Sequence, residues 1–331
     1  MPDLEEFAGL PVVDFPAGGT AEKRLEQIRG RGGDPHAPAS VAWRLKYNGE
    51  AHKEYVERFL SEVDPEQVRA LVLGDWGCIE GVGPSAFLDP LIEHAGLLPN
   101  LRSVFVGDVE TMECQLSWIP QGDMAPFLTA FPRLEELTVK GADGLGGKLA
   151  LHVPSHESLR SLILESGGLP GRVVCEVVSS GLPALEHLEL WLGVEAYGGD
   201  TFPQDLDPVL SGEVFPRLRS LGVCNSEKVD EWIPVLAEAP VVKRLEVLDL
   251  SLGILTDVGG QALLERVDAF SGLRKLDLYH HFLSEEMVER VRAAFTGVGV
   301  EVDLAERLEP EYDEFDDPEY GEPEYYTAVS E

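Results

Sequence analysis

The chain has 331 residues, of which 44% are hydrophobic and 8% aromatic, enough apolar material for a substantial core and too much for a disordered polymer. Sixty Asp and Glu against 26 Lys and Arg leave a formal net charge of −34. That balance argues against nucleic acid or an anionic membrane as partner, because both are held mainly by Lys and Arg. No run approaches the ~18 apolar residues of a membrane-spanning helix. The opening Met1-Pro2-Asp3-Leu4-Glu5-Glu6 is acidic and lacks a signal-peptide pattern. Cys78, Cys114, Cys175 and Cys224 follow one another at spacings of 36, 61 and 49, which is neither a disulfide framework nor a zinc pattern. A reduced, cytoplasmic setting is therefore expected.

In chain order, residues 1–66 read as an N-terminal cap of strand or hairpin plus helix. Val41, Trp43, Leu45 and Tyr47 alternate with Ala42, Arg44 and Lys46, and Asn48-Gly49 is a turn signal. Val56, Phe59, Leu60 and Val63 then mark an amphipathic helix, and 29–38 reads as a loop. From 67 to 305 one pattern dominates: apolar-x-x-apolar-x-apolar. Its central residue is Leu71, Val104, Leu137, Leu162, Leu188, Leu221, Leu248, Leu276 and, in a degenerate copy, Val302. The steps are 33, 33, 25, 26, 33, 27, 28 and 26 residues. Alternation at the end of each copy predicts a short strand with one face buried. Between copies, 284–295 reads as a helix with a Ser284 cap and acids in its first turn. The segments 229–238 and 258–270 read similarly, with Pro234 expected to kink the first unless it lies in the opening turn. The β-branched run 173–178 is ambiguous between strand and helix. Residues 306–331 hold eleven acids and the single base Arg307, interleaved with Tyr312, Phe315, Tyr320, Tyr325 and Tyr326, a tail too charged to fold alone.

The run 245–263, with Leu245, Leu248, Leu250, Leu255 and Leu263, resembles a leucine-rich repeat of the ribonuclease-inhibitor type, and eight good copies coincide over roughly residues 68–305. The chain also resembles a family of bacterial cytoplasmic leucine-rich-repeat-like proteins, whose genes tend to sit beside radical-chemistry enzymes and a hydrolase. The resemblance implies an α/β solenoid, a horseshoe with a parallel inner sheet. One departure stands out. The family's Asn, three residues past the last strand Leu, stitches neighbouring loops through its amide. The matching places here hold Ser226, Gly253 and His281, with Asn225 one residue off, so that ladder is expected to be missing.

Chemistry-bearing motifs are sparse. The run 142–149 around Lys148 follows a strand, but Ala142 and Leu149 stand where a phosphate loop needs Gly and Ser or Thr. His152 and His156 are separated by Pro154, which forbids the helix a metal pair would need. His280 and His281 are adjacent and would point apart in an extended loop. No catalytic residues, cofactor or metal ligands are assigned, and the chain is not expected to be an enzyme.

The repeats predict a surface instead. In each motif the third and fifth positions face away from the core. The fifth runs Val72, Phe105, Thr138, Ile163, Glu189, Gly222, Asp249, Asp277, Asp303, apolar at one end and acidic at the other. Parallel strands stand ~4.8 Å apart, so Asp249, Asp277 and Asp303 should form a carboxylate column whose members raise one another's pKa, relieved in part by Lys275. With His187, Trp191 and Tyr279 beside it, this concave face is expected to bind another protein, a basic one. Display of the acidic, Tyr-rich tail to partner enzymes, as scaffold or substrate, is the alternative.

Overall fold

The computed structural model describes residues 4–16, 21–34, 36–312 and 323–329. The chain packs as two units, Met1–Glu165 with Ser179–Ala184, and Ser166–Val178 with Leu185–Glu331. No helix among the described residues is long and apolar enough to cross a membrane.

The period-two alternation of the repeats becomes a parallel sheet in each unit. In the first, β1 (Glu6–Phe7), β2 (Leu10–Asp14), β3 (Ala42–Leu45), β4 (Ala70–Gly74), β5 (Ser103–Asp108), β6 (Glu136–Lys140) and β7 (Ser161–Glu165) lie side by side in chain order. Only the β1–β2 hairpin is antiparallel. In the second unit β8 (His187–Gly193), β9 (Ser220–Ser226), β10 (Val247–Asp249), β11 (Lys275–Asp277) and β12 (Glu301–Asp303) follow the same rule. Register is strict at the central position: Val13, Trp43, Leu71, Val104, Leu137 and Leu162 face one another in the first unit. Leu188, Leu221, Leu248, Leu276 and Val302 do so in the second. All but Val302 are at most 2% exposed. Burying each such side chain contributes about 1.5–3 kcal/mol, so the columns form a core that grows one repeat at a time. A leucine-rich-repeat-like sheet is thus the architecture.

The parallel register extends into the stretch read as the cap, where β2 and β3 are two further strands. The Asn48-Gly49 turn does not close a hairpin; it leads into a helix at His52–Glu62, whose Tyr55, Val56, Phe59 and Leu60 are buried. The ambiguous run is a helix, Gly171–Val178, with Val173, Val174, Val177 and Val178 buried at helical spacing, so packing overrides β-propensity. Pro234 sits inside the helix Val229–Glu238, beyond its opening turn. The expected helix over 258–270 is interrupted at Arg266, giving Asp257–Glu265 and Val267–Phe270. Ser284 caps Glu285–Gly297 as read, accepting from the Met287 amide at 3.2 Å.

The outward face of the first unit is covered over β3 to β5. Segment 4–14 folds across it, so that Phe7, Val12, Ala42, Ala70, Val72 and Phe105 form one cluster with Leu4 and Leu10 against it. The rings of Phe7 and Phe105 meet edge to face at 5.9 Å. Most of the apolar end expected of the binding surface is therefore core, with Val72 fully buried and Thr138 only 3% exposed, while Ile163 on β7 stays half-buried. Arg44 locks this cover. It donates to Asp14 Oδ1 at 2.6 Å, to Asp108 Oδ2 at 2.8 Å and to the Leu4 carbonyl at 3.4 Å. Burial opposes its charge, but the two carboxylates outweigh burial and raise its pKa.

The Arg44→Met variant keeps most of the packed volume but strips Asp108, a buried carboxylate, of its cation. It should lose about 3–5 kcal/mol of stability, measured by urea denaturation. A loss below ~1 kcal/mol would mean that the ion pair does not hold the cover.

Candidate functional site

All seven residues singled out in the sequence lie in the second unit. Pairing aligns His187, Ser220, Val247, Lys275 and Glu301 in the third position of the motif, and Glu189, Gly222, Asp249, Asp277 and Asp303 in the fifth. The carboxylate column is thus present in register, and its side chains are partly exposed.

Each aspartate has a job at its strand end. Asp249 Oδ1 accepts from the Ser251 amide at 2.9 Å, Asp277 Oδ1 from Tyr279 at 3.0 Å and Asp303 Oδ1 from Ala305 at 3.1 Å. These are Asx turns, which satisfy an amide where the ladder stops. The second oxygens of Asp277 and Asp303 face Lys275, whereas the Asp249 carboxylate is also held by the Ser251 side chain. Lys275 Nζ lies 2.7 Å from Asp277 Oδ2 and 3.6 Å from Asp303 Oδ2, so one lysine neutralises part of the column. The Asp277 hydrogen bond is the main reason that the Lys275 pKa is raised. Asp249 feels the Lys275 charge at longer range, outside the two ion pairs. Burial, aided by the charges of Asp277 and Glu189 and opposed by the Ser251 hydrogen bonds, raises the Asp249 pKa.

Glu189 is the opposite case. Burial alone would raise its pKa, but His187 Nε2 at 3.3 Å and the Trp191 indole N–H, donating at 2.7 Å, together hold it below the usual value. Gly222 makes this possible. A Cβ there would stand 2.8 Å from Glu189 Cγ and 3.1 Å from Cys224 Sγ, so only glycine leaves room for the glutamate. Trp191 was expected as an exposed anchor; it is only 9% exposed, drawn down by this bond. Tyr279 is half-buried, with its phenol pKa pushed up by burial and by Glu306.

Side chains that the sequence reading passed over hold the loops behind this face. His281, where the ladder Asn was missed, is fully buried. One ring nitrogen lies 3.3 Å from the Leu304 carbonyl of the next repeat, and the other accepts from the Leu283 amide at 3.2 Å. It does the missing amide's work. Buried Asn225 donates to the Ser166 carbonyl at 3.2 Å. At Gly253 a Cβ would stand 2.5 Å from the Ser226 carbonyl oxygen, so the neighbouring loop takes the space a ladder side chain would fill. The signal was the side-chain chemistry next to the strand end: imidazole and amide both donate and accept. Elsewhere, His156 spans the Phe131 carbonyl and the Leu159 amide at 3.1 Å each. The glycines around Lys148 serve packing, since a Cβ on Gly144 or Gly147 would strike the backbone of Trp118 or Gln121.

Among the described residues, no group of three His, Cys, Asp or Glu is placed to hold a metal ion. An open recess of about 510 Å³ in the same unit is lined by Asp207, Ser211, Glu213, Val235, Glu238 and Pro240, none of them on the acidic face.

Scans against family models and curated proteins give no match. Solved structures do. A Bacteroides fragilis protein determined by the Northeast Structural Genomics Consortium is 30% identical, with a TM-score of 0.73 over 82% of this chain and 76% of that one. TLR13, in a complex with ssRNA13, is 16% identical over 88% of this chain and 35% of its own, with a TM-score of 0.42. An internalin of Listeria monocytogenes is 12% identical over 81% of each chain, with a TM-score of 0.32.

The two carboxylates should answer pH in opposite senses. Glu189, held below its ordinary pKa, contributes stability at neutral pH that is lost as pH falls; Glu189→Gln should cost roughly 1 kcal/mol at pH 7. Asp249, raised above its ordinary pKa, favours the protonated form. Asp249→Asn should therefore stabilise the protein at pH 7, with the gain vanishing below pH ~4 as wild type takes up its proton. Thermal unfolding across pH 4–8 checks both, and shifts of the same sign would refute the assignment.

Proposed function

The chain belongs to the same family as the Bacteroides fragilis protein, and we propose that it is a non-catalytic recognition protein that binds a basic segment of another protein on the outward face of its second unit. The observation that carries this reading is the in-register run Glu189, Asp249, Asp277 and Asp303, half-buried carboxylates with one oxygen of each aspartate tied to its own backbone. Tying Oδ1 fixes each carboxylate before a partner arrives, so less side-chain freedom is lost on binding. Lys275 already bridges Asp277 and Asp303, and a partner's Lys or Arg would meet the same geometry at Asp249, where no ammonium lies. Carboxylates with fixed orientation suit Arg, whose planar fork donates two parallel bonds. The net charge of −34 would speed encounter with such a partner and make capture weaken with salt.

The leucine-rich-repeat-like sheet supports the reading in a general way, since stacked repeats present extended surfaces suited to macromolecular partners. The ribonuclease-inhibitor subtype, a cytoplasmic location and exclusion of nucleic acid and membrane belong to the same proposal. Tail display to partner enzymes is not favoured by the described part of that segment, because Tyr325 and Tyr326 pack on Phe282.

Affinity purification from host extract at low and high salt tests the proposal. Wild type should retain a basic protein that elutes as salt rises. The double reversal Asp249→Lys/Asp277→Lys, checked for native fold by circular dichroism, should reduce its capture at least about tenfold, as expected for charge pairs worth ~1.5 kcal/mol or more. Equal capture by the reversed protein would place recognition elsewhere.

A further inference from the structure

Residues 323–329 cross the strand ends of the second unit. Glu311 and Glu324 exchange backbone hydrogen bonds of 2.9 and 2.8 Å, and the Ala328 amide donates to the Leu252 carbonyl at 2.8 Å. Asn225 clasps Val329 with both ends of its amide, Nδ2 to the carbonyl at 2.5 Å and Oδ1 from the N–H at 3.1 Å. The rings of Tyr325 and Tyr326 stand edge to face with Phe282 at 5.1 and 5.4 Å, and Tyr326 meets His280 at 6.4 Å.

The seat is a strained one. Asn225, Leu252 and His280 occupy equivalent places in successive repeats, three residues past Gly222, Asp249 and Asp277, and have φ of 51°, 67° and 62°. Non-glycine residues in this left-handed region are strained and persist only where their surroundings hold them. The crossing segment touches all three.

His280 is the member able to change charge. The residue is 9% exposed, its Nε2 makes no hydrogen bond, and its ring lies edge to face between Phe282 and Tyr326. Around it, Glu306 and the Tyr326 carbonyl favour a cation, but burial outweighs them and keeps the imidazole neutral. His281 beside it is also held neutral, first by burial and then by Arg307, His280 and Arg292. Tyr279, its phenol pKa raised by burial and by Glu306, supplies no compensating negative charge near neutral pH.

We propose that residues 323–329 are a proton-releasable strap, seated on the second unit while His280 is neutral and unseated when the imidazole in its seat is protonated. The sign follows from linkage. A histidine whose pKa is lower with the strap seated than with it free favours the seated state above its ordinary value near ~6.5, and that preference is lost as pH falls through it. Release would uncover Leu252 and Phe282 beside Asp249 and Asp277, widening the face assigned above. That consequence rests on the proposed recognition function, whereas the release itself does not.

Hydrogen exchange of the full chain at pH 7.5 and 5.5, corrected for intrinsic rates, reads the strap without any partner. Peptides covering 323–329 should lose protection at pH 5.5 while β9, β10 and β11 keep theirs. Equal protection of the strap at both values overturns the proposal. NMR titration of the His280 ring supplies the reciprocal test. Ala328→Pro removes the amide that bonds Leu252 without touching the imidazole, so it should loosen the strap at both pH values and raise the His280 pKa toward its ordinary value. An unchanged His280 pKa in that variant also overturns it. Capture unchanged by the Asp249→Lys/Asp277→Lys reversal, with strap behaviour intact, would count against the acidic face alone.

Discussion

Everything described depends on one constraint: each repeat must set its central apolar side chain directly beside that of the next. Leu188, Leu221, Leu248 and Leu276 are in register and fully buried. Because side chains alternate across a strand, that single alignment fixes what lies on the other face. Once the leucines stack inward, Asp249, Asp277 and Asp303 must stack outward. The acidic column is therefore a by-product of core register. A slip of one residue in β10 would bury Asp249 and expose Leu248, a penalty large enough to hold the surface pattern in place.

Like charges at strand spacing repel, and three local devices make the column tolerable. Asx turns let each aspartate satisfy a backbone amide that the ending ladder would leave bare. Lys275 bridges two of the three. Gly222 separates Glu189 from Asp249 by one strand, and its missing side chain lets Glu189 lean onto Trp191 and His187. The result is a graded face, with a satisfied carboxylate at Glu189, a neutralised pair at Asp277 and Asp303, and the least compensated group at Asp249.

The strands β4 to β12 were legible because the motif repeats with a narrow period and leucine carries the signal. β2 and β3 fit the same spacing: Val13, Trp43 and Leu71 are 30 and 28 residues apart. The alternation over 41–47 marked β3 as a strand of the cap, but neither β2 nor β3 was legible as a repeat, because Val and Trp replace Leu at the centre. The outward columns followed from alternation alone. What local pattern could not show was long-range cover. The outward face of the first unit is closed over β3 to β5 by Phe7 and by the Arg44 bonds to Asp14 and Asp108, contacts between residues 30 to 98 positions apart. The burial of Trp191 was likewise hidden, since it depends on a glycine one strand away. His281 shows a third limit. A rule written for Asn misses an imidazole, although both can donate and accept at once.

The two units differ in what lies over their strands, and the difference has a chemical basis. In the first unit the outward positions are apolar, Val72 and Phe105, and segment 4–14 meets them with Phe7, Leu4 and Leu10. Leaving them bare would expose a contiguous apolar patch of the kind that drives aggregation. In the second unit the same positions are carboxylates that water solvates well, so no cover is required there. The crossing segment 323–329 lies instead along the strand ends, where Leu252, Phe282 and the Asn225 amide need partners. Each covering segment thus sits where unsatisfied surface would otherwise be, and the surface left open is the acidic one. The charged face of the second unit is thus left to water, whereas the apolar strands β3 to β5 of the first are covered.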